Sequence, residues 1–279
     1  MTGDMEIICV GNELLIGKVL NTNAQWIAKQ ATNLGITVKR VTIVPDEVEE
    51  IAAAIREAIK RKPQFIITTG GLGPTFDDKT LQGMAKALNR NLEVNPEALR
   101  LVKEKYEAYA RKNGKTKVEL TPPRIKMATI PEKTTPIPNP IGTAPGVRAD
   151  TKETVLIALP GVPREMEAIF NETLTPLLKQ ASHGVAFFEK SIYADNVMES
   201  NLAPMIDEVM RVNPNVYIKS HPRGGENKPH MELHLSIKAT IREKPMEKLE
   251  KAAAQLEQLI GKSGGKTSTR NQTVNQGSN

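Results

Sequence analysis

Thr69-Gly70-Gly71-Leu72-Gly73-Pro74-Thr75-Phe76-Asp77-Asp78 follows an apolar run at 64–69 and leads into a helical pattern that begins near Thr80. Three glycines within four residues permit positive φ and close approach of a bound group, so the backbone N–H groups of such a turn can cradle an anion. The adjacent carboxylates of Asp77 and Asp78 bring a different chemistry. Beside a phosphate they would repel the ligand unless a hard divalent cation bridged them, and this points to Mg²⁺, with Mn²⁺ or Co²⁺ as alternatives, held by Asp77 and Asp78. Capping of the following helix is the other reading of the same acids. The segment is neither a P-loop nor a G-x-G-x-x-G dinucleotide turn.

Outward from this turn, strand and helix patterns alternate. Apolar runs at 6–10, 38–44 and 64–69 predict strands, and the spacing of Trp26, Ile27, Ala31 and Leu34, then of Ile51, Ala54, Ile55, Ala58 and Ile59, predicts helices over 21–34 and 47–62. A β-α-β-α-β series implies an α/β fold with a mostly parallel sheet covered on both faces and ligands beyond the strand C-termini. Helices follow at 80–88 and 96–114. Seven prolines between Pro122 and Pro145 exclude a long helix there and predict short strands and loops over 121–147. A buried strand at 154–159 and a helix at 165–178 complete a first domain, 1–180. Gly11-Asn12-Glu13-Leu14-Leu15-Ile16-Gly17 and Asn21-Thr22-Asn23 fall at the same sheet edge as the Gly-rich turn, and this shared position favours ligand contact over plain N-capping.

Composition sets further bounds. With 39% hydrophobic and 25% charged residues and no apolar run near the roughly 18 residues needed to cross a bilayer, the chain reads as soluble. No membrane partner is expected, and a start without a signal pattern predicts a cytoplasmic protein. The net charge of +6 is spread among acidic residues, and an anionic small molecule suits it as well as nucleic acid does. Cys9, the single cysteine, lies in an apolar run and reads as a buried hydrophobe.

Taken together, these segments resemble the molybdopterin-binding fold of MoaB and MogA, and most closely the N-terminal part of CinA-type competence/damage-inducible proteins. The resemblance rests on the two loops above, Val44-Pro45-Asp46, Asn139-Pro140-Ile141-Gly142-Thr143-Ala144-Pro145-Gly146, and Leu159-Pro160-Gly161-Val162-Pro163-Arg164-Glu165-Met166. It implies a three-layer α/β domain with a site assembled from these loops. By position it implies that Gly70, Gly71, Gly73 and Thr75 wrap phosphates and that Gly11, Glu13, Asn21, Asn23 and Asp46 line the pocket. Gly142, Ala144 and Gly146 would contact a base or pterin ring. Gly161 and Pro163 would seat an anion at a helix start, with Asp77, Asp78 and Glu165 as the catalytic acids. The implied activity is metal-dependent pyrophosphate hydrolysis of ADP-ribose or a related nucleotide; the alternative is molybdopterin binding or adenylyl transfer in molybdenum cofactor biosynthesis. Self-association is also implied, and no C-terminal deamidase is expected.

Residues 185–261 predict a small α+β module, strand-helix-strand-strand-helix, similar to the KH-like middle domain of CinA-type proteins. Gly224 and Gly225 are adjacent, not spaced as G-x-x-G between helices, so nucleic-acid binding is the third and least favoured function. His221, His230 and His234 lack zinc-ligand spacing and read as satisfied or exposed histidines, and Tyr106 and Tyr109 as packing. Residues 262–279 predict a disordered tail.

Overall fold

The computed structural model describes residues 3–112, 114, 119–224 and 230–268, divided into two compact units at His183 and Gly184. Gly225 and residues 269–279 lie outside the described residues.

The first unit runs β1 (Asp4–Val10), α1 (Asn12–Leu15), α2 (Thr22–Asn33), β2 (Thr37–Val44), α3 (Val48–Arg61), β3 (Phe65–Thr69), α4 (Thr80–Leu88), β4 (Leu92–Val94), α5 (Pro96–Lys112), α6 (Pro122–Lys126), β5 (Thr129–Pro131), β6 (Thr135–Ile137), β7 (Gly146–Asp150), β8 (Val155–Leu159), α7 (Pro163–Ile169) and α8 (Thr175–Ala181). Six strands form one sheet in the order β2-β1-β3-β8-β7-β6. The first four are parallel; β7 is antiparallel to β8, and β6 to β7. The mostly parallel α/β reading therefore holds. Strand alternation divides the core in two. Met5, Ile7, Cys9, Phe65 and Ile67 pack with α2 and α7 residues on one face, and Ile8, Val10 and Ile66 pack with Ile51, Ile55, Leu81 and Met84 of α3 and α4 on the other. These are three layers, and Cys9 is fully buried as expected.

Register explains where the loops go. Parallel β1, β2, β3 and β8 end together at Val10, Val44, Thr69 and Leu159, and the antiparallel entry into β7 brings Gly146 to the same edge. From β1 the chain crosses to β2 on one side and then returns to β3 on the other, the switch point at which open α/β sheets leave a crevice.

Two local expectations need correction, at α6 and at the start of the last helix, while the short strands expected over 121–147 are present. The proline-rich stretch contains a five-residue helix, α6, because Pro122 occupies its first turn, where a missing N–H costs nothing. Two short strands, β4 and β5, pair beside it. The final helix of this unit starts at Pro163, not 165, and passes through a π-helical turn at Phe170–Leu174 before α8.

The second unit runs β9 (Val185–Asp195), α9 (Glu199–Val212), β10 (Tyr217–Pro222), β11 (His230–Thr240), α10 (Pro245–Lys262) and β12 (Lys266–Ser268), with an antiparallel sheet ordered β10-β11-β9-β12. Ile192, Leu233, Leu235 and Ile218 meet Leu202, Ile206, Leu249 and Leu256 of the helices. The disordered tail expected from 262 is wrong at its start. Lys266, Thr267 and Ser268 pair with Asp195, Ala194 and Tyr193, because the open edge of β9 satisfies their backbone groups without needing apolar side chains. On the sheet face away from the helices, His230 bonds Asp195 at 2.7 Å and stacks on Tyr193, and His234 bonds Glu189 at 2.9 Å. Both histidines are satisfied.

Candidate functional site

The Gly-rich turn is built by close approach. Gly70 has φ 104° and Gly71 φ 66°, and a Cβ on Gly70 would stand 2.2 Å from the Val10 carbonyl oxygen, so no side chain fits where β1 and β3 end. The turn is then pinned at both ends. Gly70 N–H donates to Leu159 O (3.1 Å), Thr80 Oγ1 donates to Gly70 O (2.7 Å), and Thr80 N–H donates to Gly71 O (3.1 Å). Among the described residues, the N–H groups of Gly71, Leu72 and Gly73 donate to no partner. Three successive unused donors beside two positive-φ glycines are a backbone arrangement able to accept an anion.

Thr75 organises the acids. Its N–H donates to Asp78 Oδ2 at 2.8 Å, and its hydroxyl lies within hydrogen-bond distance of Asp78 Oδ2 (2.6 Å) and of Asp77 Oδ1. One hydroxyl proton serves only one carboxylate at a time, so the other faces an oxygen. The Thr75 hydroxyl, followed by the residue's own backbone, holds the Asp77 carboxyl below the usual range. Lys126 of α6 donates to the carbonyls of Gly73 (2.9 Å) and Asp78 (2.7 Å); burial pushes its ammonium down, against the attraction of Asp78 and Asp77.

The donor set fits a hard divalent cation. Two carboxylates and a hydroxyl converge, and Mg²⁺ is typically held by one or two carboxylates with water and phosphate oxygens completing its shell. Among the described residues no group of three or more His, Cys, Asp or Glu side chains is placed to hold a metal unaided.

The other predicted residues fall around this turn. Asp46, after β2, accepts from Asn12 N–H at 2.8 Å and so fixes the loop in which Glu13 lies against Gly11. Asn21 caps α2 through Ala24 N–H, and its side chain also bonds Cys9, although burial still raises the Cys9 thiol overall. Asn23 spans the crevice: Nδ2 donates to Thr69 Oγ1 (3.0 Å) and Gly161 O (2.8 Å), while its buried Oδ1 has no partner. Gly161 packs against the Gly70 backbone, and Pro163 begins α7.

The remaining loop behaves differently. Asn139, only 3% exposed, donates to Ala144 O (2.9 Å) and Glu165 Oε2 (2.7 Å) and accepts from the N–H groups of Ile141 (3.2 Å) and Gly142 (2.8 Å). A Cβ on Gly142 would fall 1.9 Å from Glu165 Oε2. Gly142, Ala144 and Gly146, expected to contact a base or pterin ring, are buried here, and their loop is closed on its own asparagine. Glu165 stands apart from Asp77 and Asp78 in bonding, tied instead to Asn139.

Sequence reasoning assigned no role to Asn139, Lys126, Thr80 or Gln82. Asn139 was visible inside a quoted motif, but its partner Glu165 lies 26 residues away, and Lys126 and Gln82 are brought to the turn only by α6 and α4.

A family profile described as a probable molybdopterin binding domain matches residues 6–180, a span containing every residue of the turn and its neighbours. Relatives from Pyrobaculum arsenaticum (46% identical over 265 residues, 94% of this chain and 97% of the relative) and Aeropyrum pernix (45% over 260, 91% and 94%) match along nearly their whole length. Among solved structures, a CinA protein of unknown function from Thermoplasma acidophilum is 40% identical, covering 62% of this chain and 98% of its own, with a TM-score of 0.56. No helix of the described residues is long and apolar enough to cross a membrane.

Proposed function

We propose that this chain, which belongs to the molybdopterin-binding domain family as a CinA-like member, binds a phosphate-bearing heterocycle of the molybdopterin class at the C-terminal edge of its parallel sheet. The observation that carries this reading is the trio of unused N–H donors at Gly71, Leu72 and Gly73, beside the paired acids and the unpartnered Asn23 Oδ1. The donors take the phosphate oxygens, the Asn23 amide holds the crevice open between β3 and the 160–161 turn, and Thr75 keeps Asp77 and Asp78 together. A divalent cation bound there would neutralise charge on the phosphoryl oxygens. Asp77 and Asp78 would hold it, while the role of Glu165 is to position loop 139–146.

A second reading rests on the Thr75 hydroxyl, whose single proton between two carboxylates leaves one oxygen to receive a cation or a water proton. In that reading Asp78 orients water for cleavage of a pyrophosphate such as that of ADP-ribose, or the site transfers an adenylyl group. Self-association belongs to the proposal too, because Leu15 at the end of α1 and Ile16, Leu20, Phe76, Ile141 and Val162 on loops of this edge are exposed. Light scattering that gives a monomer at micromolar concentration would remove that part.

Titration calorimetry with molybdopterin and with ADP-ribose, each with and without Mg²⁺, Mn²⁺ or Co²⁺, followed by mass analysis of products, tests the site. Molybdopterin is expected to bind unchanged, and Asp78→Asn, which keeps the acceptor for Thr75 N–H, is expected to abolish the metal dependence. Cleavage of ADP-ribose that Asp78→Asn abolishes would establish the second reading; an adenylylated product with ATP would establish transfer. Binding of neither ligand would end the proposal.

A further inference from the structure

A cavity of about 310 Å³ opens behind the same turn, within the range of small-ligand pockets. Gly71, Leu72 and Gly73 form one wall and Leu81 and Gln82 of α4 another. Leu92 of β4, Pro122 and Ile125 of α6, and Thr129 of β5 close the far side. The lining is mostly apolar, and its polar groups are nearly all spoken for. Lys126 Nζ is held by two carbonyls, Thr129 Oγ1 donates to Ile125 O (2.9 Å), and Asp78 is engaged by Thr75. Gln82 is the exception: its Oε1 is buried and bonds nothing.

A buried carboxamide oxygen without a partner is costly, so its presence beside this cavity calls for a partner supplied from outside. A carboxamide offers one acceptor and two donors in a plane, matching the amide or amidine edge of a heteroaromatic ring. The mostly apolar walls suit the ring's faces. The unused N–H groups of Gly71, Leu72 and Gly73 belong to the wall that the cavity shares with the proposed phosphate seat.

We propose that this cavity is the ring subsite of the ligand, seating a planar, amino- or amide-bearing heteroaromatic ring against Gln82 while its phosphate lies on the 71–73 turn. This deepens the proposed function and rests on its phosphate seat, but it moves the ring away from loop 139–146 and onto α4, α6 and the β4–β5 pair. A pterin and a purine share the required edge; affinity separates them.

The test is calorimetric binding of three probes to the whole protein: a pterin phosphate, AMP, and ribose 5-phosphate, which has a phosphate and no ring. Gln82→Leu is expected to weaken the preferred ring-bearing probe about tenfold or more while leaving ribose 5-phosphate within about twofold. Leu92→Trp, placed at a partly exposed rim, is expected to exclude the ring in the same way, and guards against a misfolded Gln82 variant; melting curves confirm that both variants fold. A larger loss for the pterin phosphate than for AMP assigns the subsite to pterins, and the reverse to purines. If ring-bearing probes bind no tighter than ribose 5-phosphate, or if both variants leave them unchanged, Gln82 is served by water and the ring inference is overturned while the phosphate seat stands. If no probe binds the wild-type protein, the phosphate seat itself fails and the ring subsite falls with it.

Discussion

The turn at 70–78 and the loop at 139–146 both use glycines at the same sheet edge to bring the chain against a carboxylate, yet they finish in opposite states. In the loop, Asn139 spends its amide on Ala144, Glu165, Ile141 and Gly142, and the glycines are buried. In the turn, the carbonyls are taken by Thr80 and Lys126, but three N–H groups remain unused and the two acids stand at the surface or half-buried. Glycine content alone does not distinguish a binding turn from a structural one. The distinction lies in which donors the fold has already used.

Substitutions can break this contrast in order of effect. Gly70→Ala should do most harm, since a left-handed φ and a Cβ 2.2 Å from Val10 O force β1 and β3 apart. A loss of about 2–5 kcal/mol in denaturant unfolding is expected. Asn139→Ala should cost about 2–3 kcal/mol by stranding buried loop groups, with ligand affinity falling only as far as the loop loosens; strong loss of binding in a protein of normal stability would make the loop a contact after all. Glu165→Gln keeps an acceptor for Asn139, so stability and binding should both change little. A large drop in turnover or affinity would return Glu165 to the catalytic set.

The smallest effect concerns pH. The Asp77 carboxyl is held low by Thr75, so its contribution is present above the ordinary carboxylate range and is lost as pH falls through the lowered value. Thr75→Ala should move the Asp77 titration, followed by carboxyl NMR, up toward its ordinary value with little change in melting temperature, because the group is exposed. An unmoved titration would mean that the hydroxyl does not organise the acids.

Much of this edge was legible in the sequence. Alternating patterns gave the parallel strands, and parallel strands send Gly11, Asp46, Gly70 and Gly161 to one side whatever the loop details. The role of each loop was not legible, because it depends on pairings at long range: Asn139 with Glu165, Lys126 with Gly73, Asn23 with Gly161. The cavity at Gln82 was hidden for a related reason. Its far wall is α6 and β5, short elements inside a proline-rich stretch whose periodicity is too brief to read, and β12 escaped notice because edge pairing satisfies backbone rather than side chains.

The central claim is that the ligand's phosphate sits on the 71–73 turn, and amide NMR during titration with a pterin phosphate tests it most directly. The account predicts that the Gly71, Leu72 and Gly73 amide protons move downfield in step with binding while those of Ile141 and Gly142, already bonded to Asn139, stay in place. Movement of the 141–142 amides with a silent 71–73 turn would contradict it.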